Sequence, residues 1–146
     1  MMKIEERHKQ KCSSTAICQE NNIKFILNNA NGFIKVQLDG GVIPKGKEPK
    51  CCDFYFYKEN EIEIFVELKG VDVTKSFNQL ESSFNHFAQK FPKIHAFSIV
   101  KGSLPKTNTK LQKFETKMKK KNVDFKQKTN LLITEYVDDK KDIIIK

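Results

Sequence analysis

Residues 65–73, reading Phe-Val-Glu-Leu-Lys-Gly-Val-Asp-Val, constrain the fold more than any other stretch of the chain. An apolar run that enters Glu67-Leu68-Lys69 and then meets Gly70 and Asp72 describes a strand that ends and hands over to a helix. Side chains alternate along an extended chain, so Glu67 and Lys69 share one face while Leu68 takes the other, toward a core. The preceding residues repeat the alternation, with Ile62, Ile64 and Val66 set against Glu61, Glu63, Phe65 and Glu67. That pattern predicts a sheet with one face packed and one partly open. Before it lie the strand-like residues 54–57 and a polar turn over residues 58–61. The resulting hairpin brings Asp53, fourteen positions upstream, beside Glu67.

The residues after the motif predict a helix. Asp72 or Thr74 caps it, Phe77, Leu80, Phe84, Phe87, Ala88 and Phe91 recur at spacings of three and four, and Pro92 stops it. Residues 94–100 then read as a buried strand. Strand, helix and strand in succession imply a right-handed crossover and parallel pairing, which makes the chain α/β.

The flanks are less sharply patterned. Residues 1–20 are polar, a flexible arm or a short helix near residues 3–12. Ile23, Phe25 and Leu27 alternate ahead of Asn29-Ala30-Asn31-Gly32 and residues 33–38, which predicts a hairpin, although Ile23, Ile26, Leu27 and Ala30 would equally line one helix face. The glycines and prolines of residues 39–49 make a turn-rich loop. Residues 107–121 predict a second helix with a narrow Leu111, Phe114, Met118 stripe. Residues 123–125 and 131–137 read as short strands at the sheet edge. At 146 residues one domain is expected over 1–146.

Composition narrows the partners. The formal charge is +9, and ten lysines against Glu115 and Asp124 fall between residues 101 and 128, which suits a polyanion. Lys101, Lys119, Lys120, Lys121, Lys126 and Lys128 are expected to contact phosphates without reading sequence. A single arginine, Arg7, leaves little capacity for bidentate guanine recognition. No apolar run approaches a membrane span and residues 1–6 lack a signal-peptide pattern, so a cytoplasmic location is expected. Cys12, Cys18, Cys51 and Cys52 read as thiols; a zinc site is the rival, but their spacing matches no knuckle.

Cys52-Asp53, then Glu67-Leu68-Lys69, then a helix carrying Gln79, resembles the PD-(D/E)XK nuclease superfamily, most closely its small bacterial single-domain members, over about residues 33–100. Cys52 stands where that family usually has proline. The resemblance implies a restriction-endonuclease-like mixed central sheet flanked by helices, a backbone-carbonyl metal ligand at Leu68, a site glutamine at Gln79 and often a further upstream acid, for which Glu6, Glu20 and Asp39 are candidates. Asp53 and Glu67 are hard oxygen ligands suited to Mg²⁺ or Mn²⁺, and Lys69 would orient a water or stabilise developing charge. The expected activity is metal-dependent endonucleolytic hydrolysis of DNA, with a homodimer for cutting both strands. The rival is a nucleic-acid or protein-binding module of the same fold without catalysis. His8, His86 and His95 show no ligand or triad spacing.

Overall fold

A computed structural model describes residues 2–69, 73–103 and 109–146, without the side chains of Lys69 and Val73. After a 3-10 turn at Glu6–His8 the elements run β1 (Lys9–Lys11), β2 (Thr15–Glu20), β3 (Ile23–Asn28), β4 (Ile34–Gln37), β5 (Phe54–Lys58), β6 (Ile62–Lys69), α1 (Val73–Phe87), β7 (Lys93–Val100), α2 (Thr109–Lys120), β8 (Asp124–Thr129), β9 (Leu131–Val137) and β10 (Asp142–Ile145). They form a six-stranded sheet in the order β1-β4-β5-β6-β7-β8 and a four-stranded sheet in the order β10-β9-β3-β2. The fold is α/β, and both sheets are mixed.

Alternation on the central strands decides the layering. Tyr55 and Phe65 point to one side of the six-stranded sheet and share a core with Phe77, Leu80 and Phe84 of α1 and Phe114 and Met118 of α2. Phe56, Ile62, Ile64 and Val66 point to the other side and meet Phe25, Leu27, Leu132 and Tyr136 of the four-stranded sheet. The helices therefore cover one face only, and a second sheet takes the face where flanking helices were expected. The helix layer removes the partly open face expected on β6: Glu63, Phe65 and Glu67 point toward it and are all fully buried.

The hairpin β5–β6 forms as expected, with Asn60 in the left-handed region (φ 64°) at its turn. Strands β6 and β7 pair in parallel around α1. Helix α1 ends at Phe87, four residues short of expectation, because Glu63 accepts the backbone amides of Gln89 (2.7 Å) and Phe91 (2.8 Å) and Lys90 turns left-handed between them. The expected Asp72 cap lies outside the described residues.

Elsewhere the sequence misled. Residues 23–28 are a strand, but its hairpin partner is β2, through Asn21 and Asn22, both at positive φ, and not residues 33–38. Two consecutive left-handed residues suit a two-residue hairpin turn whose twist matches the strands. The segment Asn29–Phe33 instead carries the chain from one sheet to the other, anchored by the buried Ala30 and Phe33. The helix expected near residues 3–12 is a 3-10 turn and β1. Strand β9 lies inside the second sheet, between β3 and β10, where a position at the first sheet's edge was expected.

Candidate functional site

The site begins with register. Phe54 is opposite Val66, so Asp53, one step earlier, meets Glu67, one step later, at the end of the β5–β6 ladder. Glu67 is opposite Ser98 of β7, and Ser98 is opposite Gln127 of β8. Two residues earlier along β6, β7 and β8, and two later along the antiparallel β5, the strands align Tyr55, Phe65, Ala96 and Phe125, all in the core beneath the helices. An apolar row thus gives way to a polar one, Asp53, Glu67, Ser98 and Gln127, near the carboxyl ends of the parallel strands. Each member is buried.

The loop before β5 fixes Asp53. Leu38 and Asp39 donate to the carbonyls of Asp53 (2.9 Å) and Cys52 (3.3 Å), while Gly41 tucks under Gln37. A Cβ on Gly41 would sit 2.2 Å from the Gln37 carbonyl oxygen, so the tight return needs glycine. The Asp53 amide donates to Glu67 Oε1 (3.1 Å), and Asp53 Oδ2 accepts the Leu68 amide (2.8 Å). The aspartate therefore caps the ladder and stays locked to the strand bearing Glu67. Its residual 9% exposure matters, because it lines an open cavity of about 490 Å³ with Glu20, Gln37, Asp39 and Lys45. Of the upstream acids, Glu20 and Asp39 share Asp53's cavity, whereas Glu6 lines another.

Helix α1 closes the row from above. Ser76 Oγ is 2.7 Å from Ser98 Oγ, and Ser83 Oγ donates to the Gln79 carbonyl (2.8 Å) while accepting the Cys52 amide (2.8 Å). Gln79 is buried with its Oε1 lacking a hydrogen-bond partner. Both Gln127 carboxamide atoms are likewise buried without one. Burial, then the Glu67 charge, holds the Cys52 thiol well above its ordinary pKa. The four cysteines are free, and burial pushes Cys18 up to about 12.

Other expected residues are placed as follows. Leu68 is buried and its side chain joins the inter-sheet core. Lys69 closes β6 opposite Val100, but its side chain lies outside the described residues, as does Gly70. Lys101 is exposed just past β7, at the same end of the strands as Glu67. Lys119, Lys120 and Lys121 are at the far end: Asp124, the next strand's first residue, is level with His95 and Ile64, three residues before Glu67. That offset is about 10 Å along the sheet. Lys121 bonds Asn85, and Lys126 and Lys128, alternating with Phe125 and Gln127, take the opposite face. The basic segment is therefore not gathered around Asp53. His95 is held by Asp142 (2.6 Å), which ties β10 to β7.

Among the described residues no group of three or more His, Cys, Asp or Glu side chains is positioned to hold a metal ion. Sequence reading missed Ser76, Ser98 and Gln127. For Gln127 a signal existed: it sits two residues after Phe125 on a strand, hence on the same face. Comparison of the chain with protein-family models, with curated proteins and with solved structures found no match.

Proposed function

We propose that this chain is a Mg²⁺-dependent nuclease of restriction-endonuclease-like fold that hydrolyses phosphodiester bonds in DNA. The observation that supports it most is the meeting of Asp53 and Glu67 across adjacent strand ends, with Asp53 fixed by the Leu68 amide and opening on a cavity. Two carboxylates and a nearby backbone carbonyl form an all-oxygen donor set of the kind hard divalent cations take, with water and substrate completing the shell. Asp53, Glu67 and the Leu68 carbonyl would hold Mg²⁺ or Mn²⁺, which supplies polarisation of a phosphoryl oxygen and a water of lowered pKa when bound. Lys69, ending the same strand, neutralises charge that develops on the phosphoryl oxygens. Gln79 contributes a carboxamide from the helix above, and Lys101 contacts the strand at the rim. Cutting both strands of a duplex calls for two such subunits.

Supercoiled, linear and branched DNA incubated with Mg²⁺ or Mn²⁺ tests this directly. Cleavage should require the metal and disappear in Asp53→Ala and Lys69→Ala. Cleavage that survives both substitutions, or its absence with every substrate, would refute the nuclease reading.

A further inference from the structure

The two glutamines set this part of the molecule apart. Buried polar side chains in the helix-covered layer find partners as a rule: Glu63 accepts from Tyr55, Gln89 and Phe91, Ser76 pairs with Ser98, and Ser83 bonds Gln79 and Cys52. Gln79 Oε1 and both polar atoms of Gln127 do not. Leaving a buried amide unpaired is costly, and an apolar side chain of the same size would avoid the cost. Phe125, one step down the same face, shows that apolar filling suits this layer. Gln127 belongs to the level of Glu67 and Ser98, near the carboxyl ends of three parallel strands, and Gln79 lies on the helix whose Ser76 meets Ser98. Ligands of open α/β sheets bind just outside those ends.

We infer that the site continues past Glu67 across β7 and β8 as a carboxamide subsite, in which Gln127, with Gln79, binds the sugar-phosphate backbone of the nucleic-acid strand. This rests on the nuclease reading and adds a substrate contact to it. The Nε2 group of Gln127 donates to a phosphate oxygen, a contact that carries no sequence information. Its Oε1 accepts from water on the strand. A neutral amide is suited to this position because it adds no negative charge beside Asp53 and Glu67.

Gln127→Leu separates binding from packing. The variant should melt about 3 °C higher, since it removes an unsatisfied buried group. It should also raise KM for DNA about tenfold, the loss of roughly one hydrogen bond, with kcat within about twofold. Gln127→Glu, which keeps the shape and loses the N–H, should show the same KM defect without higher stability. Wild-type KM in both variants would overturn the subsite and leave Gln127 as a packing residue solvated by water. Should the wild-type chain cleave nothing, the nuclease reading fails by itself. Low-salt DNA binding then decides the subsite independently: about tenfold weaker binding by both variants supports it, and equal binding refutes it.

Discussion

Glu63 and Glu67 lie on one strand, face the same side of the sheet and are both fully buried, yet their surroundings differ in kind. Glu63, near the start of β6, is saturated by protein donors: the Tyr55 hydroxyl (2.6 Å) and the amides of Gln89 and Phe91. It replaces the helical bonds that the chain gives up when α1 ends. Glu67, near the other end, meets the amide of Asp53, the neighbouring serine row and an aspartate that opens on solvent. One carboxylate closes a structure, and the other neighbours an aspartate that lines a cavity. The comparison teaches that burial alone does not mark a functional acid; the strand end it occupies and the neighbours it meets there do.

The comparison breaks most readily at Glu63. Glu63→Ala strands a phenol and two backbone amides in the core, each costing about 1–3 kcal/mol, so a loss of about 4 kcal/mol is expected in urea unfolding. Glu67→Gln should cost less than about 1 kcal/mol, because an amide oxygen still accepts from Asp53. Equal losses at the two positions would erase the distinction drawn between them.

Activity should divide the pair in the opposite sense. Glu67→Gln is expected to lower kcat at least about a hundredfold, the scale on which removal of one transition-state contact is felt. Glu63→Gln should retain most of the activity of whatever fraction remains folded. A Glu67→Gln protein that cleaves DNA at the wild-type rate would place Glu67 with Glu63, as architecture.

The sequence distinguished these two acids only through the Glu67-Leu68-Lys69 motif; by alternation, Glu61, Glu63 and Glu67 were equivalent. The hairpin, α1 and the parallel β7 were legible because their periods are strong and their turns short. The second sheet was not, since Asn21-Asn22 and Asn29 to Gly32 are both turn-forming, and only tertiary packing of Ala30 and Phe33 selects between them. That sheet takes the apolar Ile62, Ile64 and Val66 face while the helices take the glutamate-bearing one, and nothing in β6 alone says that both faces are covered. Gln127 was hidden for another reason: with Lys126 and Lys128 beside it, a strand whose two faces meet different environments resembles one charged stripe.

Alkaline titration sharpens the Glu63 half. Burial, followed by the Glu63 charge, raises the Tyr55 phenol above its ordinary pKa, and Tyr57 and Tyr136 are raised as well, chiefly by burial. An acid whose folded pKa is raised holds its proton while the unfolded chain loses it. Stability is therefore intact below the unfolded pKa of about 10 and falls as pH rises beyond it, by up to about 1.4 kcal/mol per unit for each phenol. Tyrosinate absorbance of the native protein at about pH 10.5 should lie well below that of free tyrosine, half or more of which has ionised there. Glu63→Gln should bring part of it back, and native absorbance matching free tyrosine would contradict the assigned burial.

The smallest effect belongs to a third glutamate, which serves as the partly exposed reference. Glu81 on α1 meets Lys117 at 2.9 Å and Lys121 at 3.5 Å. Burial alone would raise its pKa, but the hydrogen bond and charge of Lys117, with the charge of Lys121, outweigh it and hold the carboxyl below its usual range. A depressed carboxylate contributes stability above the unfolded pKa of about 4.3 and loses it as pH falls through the folded value. Glu81→Gln should therefore cost less than about 1 kcal/mol at neutral pH, less again in high salt, and nothing near pH 2. A cost at neutral pH as large as that of Glu63→Ala would mean that charge pairing rather than saturated burial sets the scale, and the contrast between Glu63 and Glu67 would need another cause.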